Sequence, residues 1–595
     1  MMHNLTLKQL LFVVTAWILT LVLGFLLINL KTTNVYQLSP YEGLDTPFWV
    51  LFTTSVLLHS YYPIKDSLAI RKNEPSIYAY LGVLGIAINV TLIILLPFSR
   101  GYFSLRADIG VHIRVSQDIV INEIINKDNF YPALYGFFHF IQAYTGVKVR
   151  DIWLLGSVVS YFFYIGSAYI IGSRFFKIRR YGIWLSLCAA TPAAGGYWTP
   201  LSPSSFSVHL FFFLFFIYMS SRESTSINYR IILLMLVILY PYIHPLTSII
   251  CVVFITLFET FRWILKTKLF NEIDYLNFSP SLLLIISWFL WFTNFSVFAF
   301  SVMYMSNWFV GEATNQLGQI TSLIEKTSYS IYESALLIFK QANGVLIYLL
   351  ISLSSSLVLL FIWNRKKTGN IPIIIVGSIT LAIIASSISV LVSLVGPFGN
   401  LDFYRFTRYL LPWSTLGLIS VPLLLVHHGK NNNFSIFLLM TANSFLVALG
   451  SLAMHPSPYV LNMNDQLTEQ EVQCMRWVFQ QPSNRDIVGI SQLFNLALIS
   501  EGPSVARMTS GLRVRIPDHF GFPFYTKIAD SYPNPFFLLI TEHNKKMYLE
   551  LYSMAGRFNP QDFIRLENDL SVMAIYSNNQ CSIWSTAMKA KNNRR

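Results

Sequence analysis

The chain has 595 residues, of which 54% are hydrophobic and 12% charged, with a formal net charge of +13. Ordinary soluble domains carry about a quarter charged residues, so half that share, with 48 Phe, 32 Tyr and 13 Trp, places the chain in the membrane class. The basic residues collect in short clusters between apolar runs, which fits the positive-inside bias and argues against nucleic-acid binding.

In chain order, the run at 9–30 has membrane length and no small-residue cleavage site, so it reads as an uncleaved anchor. Further apolar runs lie near 46–62, 77–97, 152–172, 182–199, 204–220, 228–243 and 245–262. Others follow near 278–304, 342–363, 371–395, 408–426 and 434–453, for about thirteen spans in all. With the N-terminus cytoplasmic, the inner connections hold seventeen basic residues against eleven in the much longer outer ones. An odd span count then puts residues 454–595 outside, together with a large loop at 98–150. The expected fold is mostly α: a polytopic transmembrane helical bundle with a C-terminal extracytoplasmic α/β domain. Its parts are an N-terminal transmembrane hairpin at 1–76, a transmembrane core at 77–453 and a soluble domain at 454–595.

The loop is unusually rich in polar chemistry for so apolar a chain. "RADIGVHIRVSQDIVINEIINKDNFYPALYGFFHF" holds Arg106, Asp108, His112, Arg114, Asp118, Glu123 and His139. Read as a helix over 108–125, it sets Asp108 and His112 four apart on one face. Glu123 falls within roughly a sixth of a turn of that face, while Arg114 and Gln117 point away. "NKDN" reads as a turn, and the aromatic stretch after Pro132 reads as an interfacial helix. Arg114 and Asp118 fit a solvated face. Asp108, placed next to Ile109 and Val111 soon after a span, is expected to sit in low-dielectric surroundings and to need a partner.

Further along, "YPYIHPLTS" sets His244 at a Pro-flanked break between two apolar runs, where an ionisable residue is either functional or a helix-packing donor. "GPFGNLDFYRFTRYLLPW" places Arg405 and Arg408 three apart just before a span, on the same outer side as Asp108. Two guanidiniums at headgroup depth suit a lipid phosphate, or serve as a general anionic-lipid anchor. In the last segment, "LTEQEVQCMRWVF" has capping-box spacing at Thr468 and Glu471. "FFLLITE" and "VMAIYS" read as buried strands. Cys474 and Cys581 pair only if this segment is external and brings them close. Asp108, His112 and Glu123 are candidates for part of a metal site, but there is no HExxH and no CxxC pair, so a divalent metal stays an open question. Gly-rich nucleotide loops are absent, which fits a lipid-linked donor.

The order Asp108, His112, turn, Tyr131-Pro132, His139 after a membrane span resembles the first large external loop of GT-C-type glycosyltransferases. These are membrane enzymes that use polyprenyl-phosphate-linked sugars, and the plan of many spans with an external C-terminal domain is similar too. Within that group the chain resembles uncharacterised archaeal multi-pass proteins, through "HPSPY" (His455–Tyr459) and "IYSNN" (Ile575–Asn579). The resemblance implies transfer of a sugar from a polyprenyl-phosphate donor to a glycan, lipid or protein acceptor at the outer face of the cell envelope. It makes Asp108 the catalytic base, with His112, Glu123, His139, His244, Arg405 and Arg408 binding substrate. Two departures stand out: Asp108 is followed by Ile109 rather than a second acid, and the loop follows the third span. Glu42 and Asp45, in the external turn of the N-terminal hairpin, are therefore rival acids. A "WWD"-type motif is absent, which disfavours transfer of a whole glycan to asparagine. A transporter or flippase for a lipid-linked glycan is the alternative from another class, and a glycan-binding scaffold a third.

Overall fold

The computed structural model describes residues 7–69, 74–125, 129, 131–176, 178–192, 201–269, 279–293, 330–366, 379–388, 403–427, 433–481, 485–491, 493–502, 516–532, 534–553 and 556–586. Over their described parts, the thirteen apolar runs are mainly helical, with a break at Leu418–Ile419 inside the run at 408–426. The chain starts with α1 (Leu7–Ile28), α2 (Thr46–Leu68) and α3 (Ile77–Ile94), followed by the loop helices α4 (Ala107–Asn122) and α5 (Pro132–Thr145). Next come α6 (Val149–Phe175), α7 (Arg179–Ala190), α8 (Pro203–Glu223), α9 (Ile227–Ile243), α10 (Pro245–Leu269) and α11 (Pro280–Thr293). The bundle is completed by α12 (Ile331–Lys366), helical residues 379–388, α13 (Phe403–Gly417), α14 (Ser420–His427) and α15 (Asn433–Leu452).

Among the described residues, 7 helical segments are long and apolar enough to cross a membrane. The chain is a membrane-embedded helical bundle. The other runs differ for identifiable reasons. Helix α2 has the length, but Thr53, Thr54, Ser55, His59 and Ser60 dilute its apolar run. Helix α7 has only 12 residues and is buried from Arg180 to Ala190, so it acts as a core helix. Hydrocarbon offers no water to polar groups, so those inside the bundle bond each other. Thr20, Ser55, His59 and Asn89 tie α1, α2 and α3 together at 3.0–3.2 Å. Gly85 permits this contact: a Cβ there would lie 2.3 Å from the His59 ring.

Outside the bundle, a four-stranded sheet has the order β3-β4-β6-β5. Its strands are β3 (Asp486–Gly489), β4 (Phe536–Thr541), β5 (Val572–Asn578) and β6 (Cys581–Thr586). β3 runs parallel to β4, and the other pairs are antiparallel. Every residue of β4 is buried, and its alternate side chains feed two cores. Phe537 and Leu539 pack with α16 (Glu469–Gln480) and α17 (Leu493–Glu501); Phe536, Leu538 and Ile540 pack with Phe520, Phe558 and Leu566. β5 is an edge strand with Met573 exposed, which corrects the expectation of a buried strand there. Cys474 in α16 is disulfide-bonded to Cys581 at the start of β6.

The loop after α3 is stitched to this outer unit. β1 (Ser104–Leu105) pairs antiparallel with β2 (Gln466–Leu467). Gly110 lets α4 lie against the same unit, since a Cβ there would sit 2.5 Å from Ile499. The loop and the residues that follow α15 therefore share one side of the bundle.

Candidate active site

Arg106, which opens the polar loop, is structural. Its Nε donates to the Gln466 carbonyl at 2.9 Å, and its guanidinium pairs with Glu471. Glu471 is fully buried and also completes the capping box with Thr468 that the spacing predicts. Arg114 and Asp118 form an (i, i+4) pair at 3.0 Å. That leaves Asp108, in the first turn of α4, where the helix dipole favours a negative charge. Asp108 is exposed, and its carboxylate has no hydrogen-bond or ion-pair partner among the described residues. The expected desolvated, partnered carboxylate is not found at Asp108; burial falls on its neighbours instead.

One turn on, His112 packs its ring flat on Trp153, with centroids 5.5 Å apart, and bonds Tyr135 through Nδ1. Burial pushes its pKa down to about 4, against the pull of Asp108, so the ring is neutral near pH 7. Burial likewise holds the Tyr135 phenol well above its ordinary range. A protonated phenol that donates to Nδ1 leaves the imidazole proton on Nε2, free to face a ligand. Tyr131, the residue before Pro132, meets His112 edge-on at 5.8 Å and stacks on His244 at 5.6 Å. His244 is buried, bonds Thr247 through Nδ1 and lies 6.1 Å from the Tyr409 ring. A continuous row thus runs from Asp108 through His112, Tyr131 and His244 to Tyr409 on α13. Arg405 and Arg408 lie on the same helix, one turn and one residue before Tyr409; their side chains fall outside the described residues.

Two predicted site residues stand differently. Glu123 shares a face with Asp108 but ends α4 as its left-handed cap at φ 55°, exposed. Fifteen residues at about 1.5 Å each separate the two by about 22 Å along the axis. In the structure it serves as the capping residue of α4. His139 lies one turn beyond Tyr135 on α5, half-buried, with Nδ1 buried and no partner for that atom among the described residues. Of the rival acids, Glu42 accepts from the Ser39 amide within its own turn, and Asp45 is the exposed N-cap of α2.

Asp465, absent from the sequence-based candidates, belongs to the same neighbourhood. Its carbonyl accepts from the Arg106 amide at 2.7 Å beside the β1–β2 pair. Burial raises its carboxyl to about 7, opposed by Arg106 and reinforced by Asp108. It lines a cavity of about 20 Å³ with His455, Asn464 and Ser157. Nothing in local sequence marks it, because only long-range strand pairing brings it to Asp108. No group of three or more His, Cys, Asp or Glu suited to a metal occurs among the described residues. Asp108 and His112 supply two donors and no third.

No protein-family model matches the chain, and no curated protein matches its sequence. Among solved structures, the Archaeoglobus fulgidus oligosaccharyltransferase, in complex with zinc and sulfate, is similar at 10% identity and a TM-score of 0.46. That match covers 84% of this chain and 73% of the other. ArnT from Cupriavidus metallidurans bound to undecaprenyl phosphate is similar at 9% identity and a TM-score of 0.33, covering 91% of this chain and 99% of the other. Its apo form has 9% identity and a TM-score of 0.34, covering 86% and 98%.

Proposed function

We propose that this chain is an integral-membrane glycosyltransferase of GT-C type. It moves a sugar from a polyprenyl-phosphate donor to a glycan, lipid or protein acceptor at the outer face of the cell membrane. The observation that carries this reading is the placement of an accessible, unpartnered carboxylate, Asp108, one turn from a half-buried neutral imidazole. The loop around them is fixed by Arg106 and Glu471 rather than free in solvent.

In this mechanism Asp108 takes the proton from the acceptor hydroxyl as its oxygen attacks the anomeric carbon. The new carbon–oxygen bond forms as the bond to the carrier phosphate breaks, with inversion, and the phosphate keeps the electron pair. His112 donates through Nε2 to a sugar hydroxyl, and Tyr131 and His244 line the way toward α13. Arg405 and Arg408 hold the departing phosphate and stabilise the charge it gains. His112 is not the base: its Nδ1 is taken by Tyr135 and its Nε2 carries the proton, so the ring offers no free lone pair. No step is assigned to a metal.

The disulfide supports the orientation. Such bonds persist in oxidising compartments, which favours an extracytoplasmic C-terminal unit at 454–595, and β1–β2 pairing carries the loop 98–150 to the same side. The N-terminus is then cytoplasmic. Residues 1–76 form a hairpin that packs into the core at 77–453, since α2 is buried at Phe52 and Val56.

The test is incubation of the purified protein with a panel of polyprenyl-phospho-sugars and native membrane extract, followed by mass spectrometry. A glycosylated product with release of polyprenyl phosphate supports the reading. Passage of an unconsumed donor across a reconstituted bilayer supports the flippase alternative instead.

A further inference from the structure

A second cavity, of about 430 Å³, lies between α4, the start of α6 and the outer unit. At 100° per residue, Gln117 and Arg114 on its wall lie on the face of α4 turned away from Asp108. The wall carries four cations, Arg114, Lys148, Arg150 and Arg476, and no carboxylate. Three carboxylates pair with them from outside the lining: Asp118 at 3.0 Å from Arg114, Asp151 at 2.7 Å from Arg150 and Glu501 at 3.9 Å from Arg476. Lys148 is exposed and has no ion-pair partner among the described residues. Arg114 and Arg476 also converge on one acceptor, the Ser500 carbonyl, at 3.5 and 3.3 Å. Three of the four cations are thus balanced, and Lys148 leaves the wall one positive charge in excess, which favours an anion there.

The position of the cavity says which anion. Lys148 and Arg150 flank the first residue of the membrane-length segment Val149–Arg174, so the cavity opens at headgroup depth. On its wall, Phe103 and Ile121 are exposed, the latter at 73%, and form an apolar shelf. Basic wall, headgroup depth and apolar shelf together match a phosphate with acyl chains.

We infer that this cavity binds the phosphodiester headgroup of an anionic phospholipid, with its chains along Phe103 and Ile121. The bound phosphate bridges α4 to the outer unit through Arg114 and Arg476. This site is independent of the transferase reading, and its test reads binding rather than activity.

The full chain in nanodiscs of phosphatidylcholine with one-fifth phosphatidylglycerol is analysed by native mass spectrometry for retained lipid. The expected result is one preferentially retained phosphatidylglycerol, with affinity reduced about tenfold or more in Lys148→Gln/Arg476→Gln. Lys65→Gln/Arg179→Gln, at exposed cations elsewhere, should leave retention unchanged. Where the double variant melts lower in phosphatidylcholine alone, Lys148→Gln by itself, lacking contacts to lose, is read instead. Equal retention of both lipids, or unchanged phosphatidylglycerol binding in the variant, overturns the inference. So does inorganic phosphate that competes as well as phosphatidylglycerol binds, which would make the site one for a soluble anion.

Discussion

Replacing Asp465 by Asn should make the protein more stable at pH 8 and leave it unchanged at pH 4. The folded carboxyl is raised to about 7 from 3.8 because burial outweighs the help from Arg106. Below pH 4 the group is protonated in both folded and unfolded chains and contributes nothing. Between pH 4 and 7 the unfolded chain releases the proton while the folded one keeps it, so stability falls as pH rises. Above 7 the folded chain carries the charge at full cost. A rise from 3.8 to about 7 corresponds to about 4 kcal/mol at most. The side chain keeps some accessible surface, so about 2 kcal/mol is the better figure after solvent screening. Thermal unfolding in detergent across pH 4 to 8 reads this directly, as a rise of about 5 °C or more at pH 8 that shrinks to zero at pH 4. A variant destabilised at pH 8, or shifted equally at both ends, would show that Asp465 is well paired and the reasoning wrong.

Removing one partner of the buried Arg106–Glu471 pair should be severe: Arg106→Leu strands a fully buried carboxylate and should cost about 3–5 kcal/mol, with much of it recovered in Arg106→Leu/Glu471→Leu, measured by thermal unfolding. Cys474→Ser should lower stability by about 2–5 kcal/mol under oxidising conditions and bring the protein level with its reduced form. Glu123→Gly should raise stability by up to about 1 kcal/mol, because glycine accepts the left-handed cap without strain, and should leave transfer intact.

What the sequence made legible was local. Apolar runs located the helices, Pro132 opened α5, and Thr468 with Glu471 marked the start of α16, because each signal is complete within one turn or one span. "HPSPY" and "IYSNN" also proved structural: His455 bonds the Ile93 carbonyl at 2.8 Å, and Asn578 accepts from the Cys581 amide at 2.9 Å in the β5–β6 turn. Partners far apart in sequence were not legible. Arg106 meets Glu471 across 365 positions, and Asp465 reaches Asp108 only through β1–β2. Helical periodicity assigned Glu123 to the right face but said nothing of distance along the axis. The exposure of Asp108 was missed for a related reason: apolar neighbours in sequence, Ile109 and Val111, turn toward the protein and leave the acid outside.

The most direct measurement is the single-turnover rate of transfer from an accepted polyprenyl-phospho-sugar, compared between the native chain and Asp108→Asn at matched expression and melting temperature. Loss of about 10² to 10⁴ in rate with donor binding retained is the predicted result, as expected for removal of a general base. A fully active Asp108→Asn enzyme would contradict the assignment of catalysis to this loop.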